Sequence, residues 1–238
     1  MKLRIPTSVA IALSVFAGAL IAVQSQVNGE LAIALNDGLF AALLSFGIGT
    51  VLVAVPFFIS KNERIKLFVA TKALGRGVPI WLTFGGFFGA FFVMMQGLVA
   101  PEIGVTLFTL AIVSGQAAAA LMVDSLGLLG LTKRKLSLAR LLGAAIAIFG
   151  LVLSSGLGVT EVSGLIVLPF IAGFGSGFQQ GFSGKLATVT DSVLISTFIN
   201  FVTGTALIAA VMFTLQGLPD LSEGLPTNPF LYLGGLVG

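Results

Sequence analysis

Long uncharged runs of apolar residues constrain the fold of this chain more than any other feature. A membrane-crossing helix needs roughly 20 such residues, because the hydrocarbon core is ~30 Å thick. The runs are continuous rather than alternating, so they predict helices and not the strands of a barrel. An eighth run begins near Pro229. The seven complete runs are Ile5–Gly29, Leu39–Ser60, Val78–Pro101, Ile103–Val123, Leu141–Thr160, Val162–Gly184 and Val193–Pro219.

The composition agrees with a chain whose solvent is mostly lipid. Hydrophobic residues make up 57% of the 238 residues and charged residues 9%, whereas a soluble domain carries about 25% charged residues. This excludes an ordinary soluble enzyme, a nucleic-acid binder and a disordered segment. Histidine and cysteine are absent, which excludes disulfides and thiolate or imidazole metal sites. We expect no metal and no cofactor.

One short motif resembles a catalytic site. Gly181-Phe182-Ser183-Gly184 matches the Gly-x-Ser-Gly of rhomboid-type intramembrane proteases. The serine of such a protease needs a histidine base, which this chain lacks. We therefore do not expect an enzyme.

The basic residues predict the orientation. Lys and Arg favour the cytoplasmic side of a membrane, and all twelve fall on the side of the N-terminus if seven helices cross. The connections assigned to the other side contain acidic residues and no Lys or Arg. The sequence therefore predicts a cytoplasmic N-terminus. The basic residues are Lys2, Arg4, Lys61, Arg64, Lys66, Lys72, Arg76, Lys133, Arg134, Lys135, Arg140 and Lys185, and the acidic ones Asp37, Glu102, Glu161, Asp220 and Glu223.

An internal repeat is present. Gln24–Val55 aligns without a gap onto Gln179–Ala210, with ten of 32 pairs identical, and Leu82–Gly89 matches Leu231–Gly238. Five helices separate the units, and because five is odd, the second unit is inverted. We expect an all-α polytopic membrane protein built as an inverted repeat of five-helix units, residues 1–156 and 162–238. Seven helices and part of an eighth would belong to a ten-helix protein that continues past residue 238.

Several motifs resemble one family. Gln-x-x-x-Asn-Gly-x-Leu at 24–31, Ala-Ala-Leu-Leu-Ser-Phe-Gly-Ile-Gly-Thr at 41–50, Gly-Gly-x-x-Gly-Ala at 85–90 and the segment 115–128 are similar to the YdcZ-like family of the drug/metabolite transporter superfamily. The resemblance implies a bacterial inner-membrane protein that exports or exchanges small organic solutes. Single-unit members are expected to dimerise, whereas this chain resembles the fused form, expected to be a monomer.

The resemblance also has a departure. Small multidrug-resistance relatives use a membrane-embedded Glu in the first helix to bind protons and cations. In this sequence Glu30 is near the outer end of the first helix, and Gln24 is its deepest strongly polar side chain. Proton-coupled cation export is therefore not favoured.

Polar residues inside the runs are the candidate substrate ligands. Gln24 and Asn28 share a helix face, and Gln179 and Ser183 occupy the matching positions of the second copy, beside Gln180. Such groups either line a cavity or form hydrogen bonds between helices. Secondary candidates are Gln96, Gln116 and Asn200. Asp124 is either a solvated helix end or a gate residue that pairs with a nearby Lys or Arg.

Small residues at four-residue spacing predict close helix packing. The first and sixth runs carry such stripes, and both are expected to pack near the pseudo-twofold axis. The stripe of the first run is Ser14, Gly18 and Ala22, and that of the sixth is Gly173, Gly177 and Gly181. Gly85 and Gly89 in the third run have the same spacing.

Three functions are compatible with these patterns. The first is a secondary transporter of a small organic metabolite or drug-like solute, working by alternating access, with lipid and solute as its partners. No Walker motif is present to bind ATP. The alternative is a non-transporting membrane scaffold or assembly factor, and a channel is a third hypothesis. The discriminating observation is whether Gln24 and Gln179 line one cavity.

Overall fold

The computed structural model describes residues 6–128, 133, 137–154, 163–222 and 224–237. The predictions made for Lys2, Arg4, Arg134, Lys135, Glu161, Glu223 and Gly238 lie outside the described residues. Short 3₁₀ helices at Ile80–Phe84 and Pro229–Tyr232 lead into α4 and α10. The α-helices of the described part are α1 (Thr7–Leu35), α2 (Gly38–Ile59), α3 (Lys61–Ala73), α4 (Gly85–Leu98), α5 (Ala100–Ile103), α6 (Val105–Leu126), α7 (Leu138–Ser154), α8 (Ser163–Thr190), α9 (Val193–Leu215) and α10 (Gly234–Val237).

The described chain is an all-helical polytopic membrane protein, as the apolar runs predict. Six helices of the described part are long and apolar enough to cross a membrane: α1, α2, α4 with its 3₁₀ turn, α6, α8 and α9. The fifth predicted run corresponds to α7, a shorter apolar helix of 17 residues. That length is at the lower limit for crossing a bilayer.

The hydropathy pattern does not predict α3, a charged helix of 13 residues between the second and third runs. Ser60 caps it by accepting a hydrogen bond from the Glu63 backbone amide, and Glu63 in the first turn complements the helix dipole. Its charged residues interrupt the apolar pattern, so the segment was treated as a connection. Local capping signals rather than hydropathy could have identified it.

The two halves of the repeat turn between helices in the same way. Asn36 ends α1 in the left-handed conformation, and its repeat mate Asp191 follows α8 in the same conformation, each with φ of 50°. The next residue in each copy, Asp37 or Ser192, then caps the following helix through its side chain. Matching sequence positions thus have matching local structure, because short polar side chains tolerate positive φ and cap helices well.

Contacts between repeat mates lie where α2 crosses α9. The rings of Phe46 and Phe201 are 5.1 Å apart between centroids, and the hydroxyls of Thr50 and Thr205 are 2.7 Å apart. Gly49 and Gly204 leave room for these rings, since a Cβ on either would overlap the opposite phenylalanine. A pseudo-twofold axis therefore passes between α2 and α9, where repeat mates are in direct contact.

The relative direction of α2 and α9 bears on whether α7 crosses the membrane. The Gln216 amide after α9 donates to the Asp37 carboxylate before α2 at 2.6 Å, while Phe57 near the end of α2 contacts Phe198 near the start of α9. The two helices therefore run antiparallel. Because each crossing reverses the direction of the chain, this result requires an even number of crossings between them. The helices α4, α6 and α8 supply three crossings, so the antiparallel arrangement indicates that α7 is a fourth.

The third helix of each copy packs against the second helix of the other copy. Gly86 at the start of α4 lies against Gly204 of α9, and its mate Gly235 in α10 lies against Gly49 of α2. A Cβ at these two positions would be 3.0 and 3.1 Å from the backbone nitrogen of the facing glycine. This reciprocal contact is the one expected of two segments related by an inverted repeat.

The helix α4 lies at the centre of the bundle. In its apolar window 61% of residues are buried, against 17% to 33% in the other five candidate spans. On one side α6 packs closely on α8, because a Cβ on Gly173 would collide with the Ile112 carbonyl and one on Gly115 with the Phe170 carbonyl. Glycine at these crossings lets the two backbones meet.

Candidate functional site

A cavity of about 310 Å³ opens between α1, α2, α4, α6, α8, α9 and α10. Among the described residues, its lining combines amides, hydroxyls and aromatic rings and contains no ionisable side chain. The lining residues are Ile21, Gln24, Ser45, Phe46, Gly89, Phe92, Val93, Gln116, Ser176, Gln179, Gln180, Ser183, Thr197, Asn200, Phe201, Gly234 and Gly235. Six of the eight predicted substrate ligands belong to this set.

Gln24 and Gln179 line this one cavity, although they lie 155 positions apart in the chain. Neither side chain has a hydrogen-bond partner within the described part of the chain, so neither ties two helices together there. Gln24 is buried, with 8% of its surface exposed. The amide of Gln179 sits against Gly89, where a Cβ would be 2.6 Å from its nitrogen. The structure therefore brings together the two residues whose placement separates the competing functions.

Three further predicted ligands form short contacts along the wall of the cavity. The Gln116 amide donates to the Ser176 hydroxyl at 3.1 Å, joining α6 to α8. The Asn200 amide donates to the Ser183 hydroxyl at 2.6 Å, joining α9 to α8. The carboxamide oxygen of Asn200 is buried without a partner. Gln180 lines the cavity and is exposed.

Asn28 and Gln96 lie outside the cavity lining. The Asn28 amide donates to the Gln96 oxygen at 2.6 Å, and the Gln96 amide donates to the Ser25 hydroxyl at 2.9 Å. Both side chains are fully buried. Because Asn28 and Ser25 are on α1 and Gln96 is on α4, this network links two helices. These two predicted ligands have the contacts of interhelical hydrogen bonds.

The repeat exchanges an asparagine and a serine. In the second copy, Ser183 of α8 bonds Asn200 of α9. At the matching positions of the first copy, Asn28 is on α1 and Ser45 on α2, and both lie beside Gly234. Asn200 lies beside Gly85, the mate of Gly234, where a Cβ would be 2.7 Å from its oxygen. Each asparagine thus approaches a glycine at the start of the other copy's third helix.

The predicted packing glycines have different surroundings. Gly173 and Gly177 face α6, next to Ile112 and Ala119. Gly85 and Gly89 accommodate the polar side chains of Asn200 and Gln179. A Cβ added to Gly18, the repeat mate of Gly173, would have no neighbouring atom of the described residues within 4 Å. Gly181 is half-buried in α8, next to the lining residues Gln180 and Ser183.

Asp124 forms an ion pair with Arg140, which connects the end of α6 to the start of α7. The predicted gate residue therefore pairs with a nearby arginine, but outside the cavity. Elsewhere in the described residues, no group of three or more acidic side chains comes together that could hold a metal ion.

Sequence reasoning missed the aromatic part of the lining. Phe46 and Phe201 are identical repeat mates, and Ser45 beside Phe46 is the repeat mate of the predicted ligand Asn200. Their place in the repeat could have identified them. Phe92, Ser176 and Thr197 gave no comparable signal, because single residues of these types are common within membrane helices.

A family comparison bears on this site. Residues 9–153 and 164–238 match the family described as "Putative inner membrane exporter, YdcZ". The chain belongs to this family. No curated protein and no solved structure matches it significantly. Membership in a family of membrane exporters points to a transporter rather than an enzyme, and with the apolar helices it supports a membrane location.

Proposed function

We propose that this chain is a secondary transporter that exports or exchanges a small organic solute by alternating access. One observation carries the proposal: Gln24 and Gln179, at equivalent positions of the repeat, face one uncharged cavity without hydrogen-bond partners in the described chain. The family description supports an exporter, and the cavity supplies a place for its solute.

The side-chain amides of Gln24 and Gln179, which have no hydrogen-bond partner in the described chain, favour a bound solute or water in the cavity. A polar group that stays unpaired in a low-dielectric interior destabilises the protein by about 1–3 kcal/mol. A glutamine both donates and accepts hydrogen bonds. The pair can therefore bind a polar solute in exchange for water without burying a charge.

The contacts at the pseudo-twofold axis suit alternating access. The helices α2 and α9 meet through small residues and ring contacts between mates, and each copy's third helix packs on the other copy. Such reciprocal contacts allow two inverted units to exchange their conformations about a central site. A rocking motion about α2 and α9 would open the cavity first to one side and then to the other.

The lining favours neutral, zwitterionic or aromatic solutes over strong cations. No Asp or Glu of the described residues lines the cavity, so a bound cation would lose its hydration without gaining a counterion. Phe46, Phe92 and Phe201 supply ring surface, against which the apolar part of a solute can pack.

The scaffold hypothesis is favoured by one observation, the Asn28–Gln96–Ser25 network between α1 and α4. Those residues link α1 to α4 by hydrogen bonds, as a purely structural role requires. They do not account for Gln24 and Gln179, which have no such partner. A binding measurement therefore separates the two functions.

The test uses the purified full chain in lipid nanodiscs and a defined probe set. The set contains uracil, nicotinamide, neutral and zwitterionic amino acids, and tetraphenylphosphonium as a strong cation. We expect a thermal shift with at least one uncharged or zwitterionic probe, and counterflow of that radiolabelled probe in proteoliposomes. Binding of tetraphenylphosphonium alone would contradict the solute class. No binding and no counterflow with any probe would favour the scaffold.

A further inference from the structure

The transport site does not explain the charged helix α3. It follows α2 directly through Ser60, so it starts where a membrane-spanning helix ends. One face packs on the bundle: Ala70 and the half-buried Leu67 belong to an apolar cluster with Phe57, Leu82 and Leu186. This contact holds the helix against the protein, at the end of α2 that carries Phe57.

The outer face of α3 is apolar and exposed. Ile65, Phe68 and Val69 have 52%, 59% and 60% of their surface exposed. Their spacing of three and four residues places them on one face, turned away from Ala70. Three large apolar side chains on one exposed face are unfavourable in water. Their position at the end of a membrane span places lipid within reach.

Basic residues surround this apolar face. Lys61 and Lys72 lie four residues before and seven after Ile65, on the same face at its two ends. Arg64 is exposed on one flank, and Arg76 follows the helix. The Lys72 ammonium lies 4.3 Å from the centre of the Phe68 ring. Lysine stems of this kind lie along apolar surface and extend their charge outward.

The acidic complement is small. Glu63 is the only acidic residue of α3, and it pairs with Lys66 at 2.7 Å. Its hydrogen bond and charge raise the pKa of Lys66. In the described chain, Lys61, Arg64, Lys72 and Arg76 have no carboxylate within ion-pair distance. An anionic surface would complement them.

Trp81 indicates the depth of this region. It is the one tryptophan of the sequence, it lies in the 3₁₀ helix that follows the α3 segment, and it is 40% exposed. Its ring packs edge-on against Phe182. Tryptophan favours the boundary between headgroups and acyl chains, so α3 lies near that boundary.

We propose that α3 docks into the surface of the adjacent membrane leaflet and binds anionic phospholipid. Ile65, Phe68 and Val69 enter the upper acyl region, and Lys61, Arg64, Lys72 and Arg76 contact the phosphate headgroups. The exposed face of α3 has the composition of an interfacial surface, with three large apolar side chains and basic residues around them. The orientation predicted from the basic residues makes this the cytoplasmic leaflet.

The test exploits the absence of cysteine from the sequence. A single cysteine is introduced by Val69→Cys or, as a matched control on the other flank of the helix, by Thr71→Cys. Each variant is labelled with the environment-sensitive dye NBD in nanodiscs of phosphatidylcholine, with or without phosphatidylglycerol. Doxyl-labelled lipid and aqueous iodide serve as quenchers. We expect stronger doxyl quenching and weaker iodide quenching for Val69→Cys than for Thr71→Cys, with a larger difference when phosphatidylglycerol is present.

Three outcomes would overturn the proposal. Equal iodide quenching at both positions would place the apolar face in water. Protection from iodide without doxyl quenching would mean that protein covers the face. Quenching of Val69→Cys that does not depend on phosphatidylglycerol would exclude binding of anionic lipid. By contrast, we expect the dependence on phosphatidylglycerol to be lost when Lys61→Gln, Arg64→Gln and Lys72→Gln are combined with the labelled cysteine. Thermal unfolding of each variant establishes that it is folded.

Discussion

Gln24 and Asn28 lie one turn apart on α1, yet only Gln24 contacts the cavity. Asn28 instead meets Gln96 of α4. Helical spacing correctly places them on one broad face, but neighbouring helices divide that face. The sequence alone cannot show where α4 ends and the cavity begins, because that boundary depends on how α1 is rotated in the bundle.

The Asn28–Gln96 bond should contribute to stability and not to binding. Gln96→Leu removes the acceptor of the Asn28 amide and leaves the whole Asn28 carboxamide unpaired. We expect the free energy of unfolding to fall by about 1–3 kcal/mol, measured by titration with SDS. Gln26→Leu on the exposed side of α1 is the matched control. If Gln96→Leu is as stable as this control, the network is not structural.

The Asp124–Arg140 pair is partly exposed, with 23% and 33% of the side-chain surfaces accessible. Such pairs contribute less than ~1 kcal/mol. We expect Asp124→Asn to leave unfolding nearly unchanged but to alter the rate of solute counterflow, and the double exchange Asp124→Arg, Arg140→Asp to restore it. An unchanged counterflow rate would remove Asp124 as a gate.

At the scale of helices, the small-residue stripes predict contact but not the partner. The stripe of α8 meets α6, whereas a Cβ added to Gly18 of α1 would have no neighbouring described atom within 4 Å. The periodicity is similar in both helices, so the difference comes from which helix lies opposite. Similarly, Gly85 and Gly89 have the spacing of packing glycines but make room for polar side chains.

Gly173 and its repeat mate Gly18 form a matched pair for testing this account. Gly173→Ala places a methyl group against the Ile112 backbone, and we expect a loss of more than ~1 kcal/mol of stability. Gly18→Ala has open space and should be neutral or slightly stabilising, because alanine favours the helix. Equal effects of the two substitutions on unfolding would contradict the close α6–α8 contact.

The apolar runs predicted where the membrane helices lie, but α3 lies outside that pattern. Its charges resemble those of a solvated connection, and the signals of a helix are local: the cap at Ser60 and the acidic Glu63 in the first turn. The turns were predictable in another way. Asn36 with Asp37 and Asp191 with Ser192 are matching polar pairs, and each ends one helix and starts the next.

At the scale of the molecule, orientation stays a prediction from the basic residues. Asn62 of α3 and Ser222 beyond α9 should lie on opposite sides, because five crossings separate them when α7 is counted. A cysteine at Asn62 should react with a membrane-impermeant maleimide only from the cytoplasm, and one at Ser222 only from outside. The reverse pattern would exclude the cytoplasmic N-terminus, and labelling of both from one side would exclude α7 as a crossing.

The repeat gave the pairing of Gln24 with Gln179, but it did not give the axis. Both copies place their first helix beside the cavity, while the second helices α2 and α9 meet at the centre. Side-chain size allows α2 and α9 to meet, because Gly49 and Gly204 leave room for the rings of Phe201 and Phe46. From sequence, these identical mates show a shared role without showing that they touch.

The shared cavity is tested most directly by comparing three leucine substitutions on one probe. Equilibrium binding of the tightest uncharged solute is measured on the full chain in nanodiscs for Gln24→Leu, Gln179→Leu and the exposed control Gln26→Leu. We predict that each cavity substitution weakens binding by about tenfold or more, a loss of ~1.4 kcal/mol, with unchanged unfolding, while the control binds normally. Normal binding by both cavity variants together with reduced stability would contradict a transport cavity lined by these two glutamines.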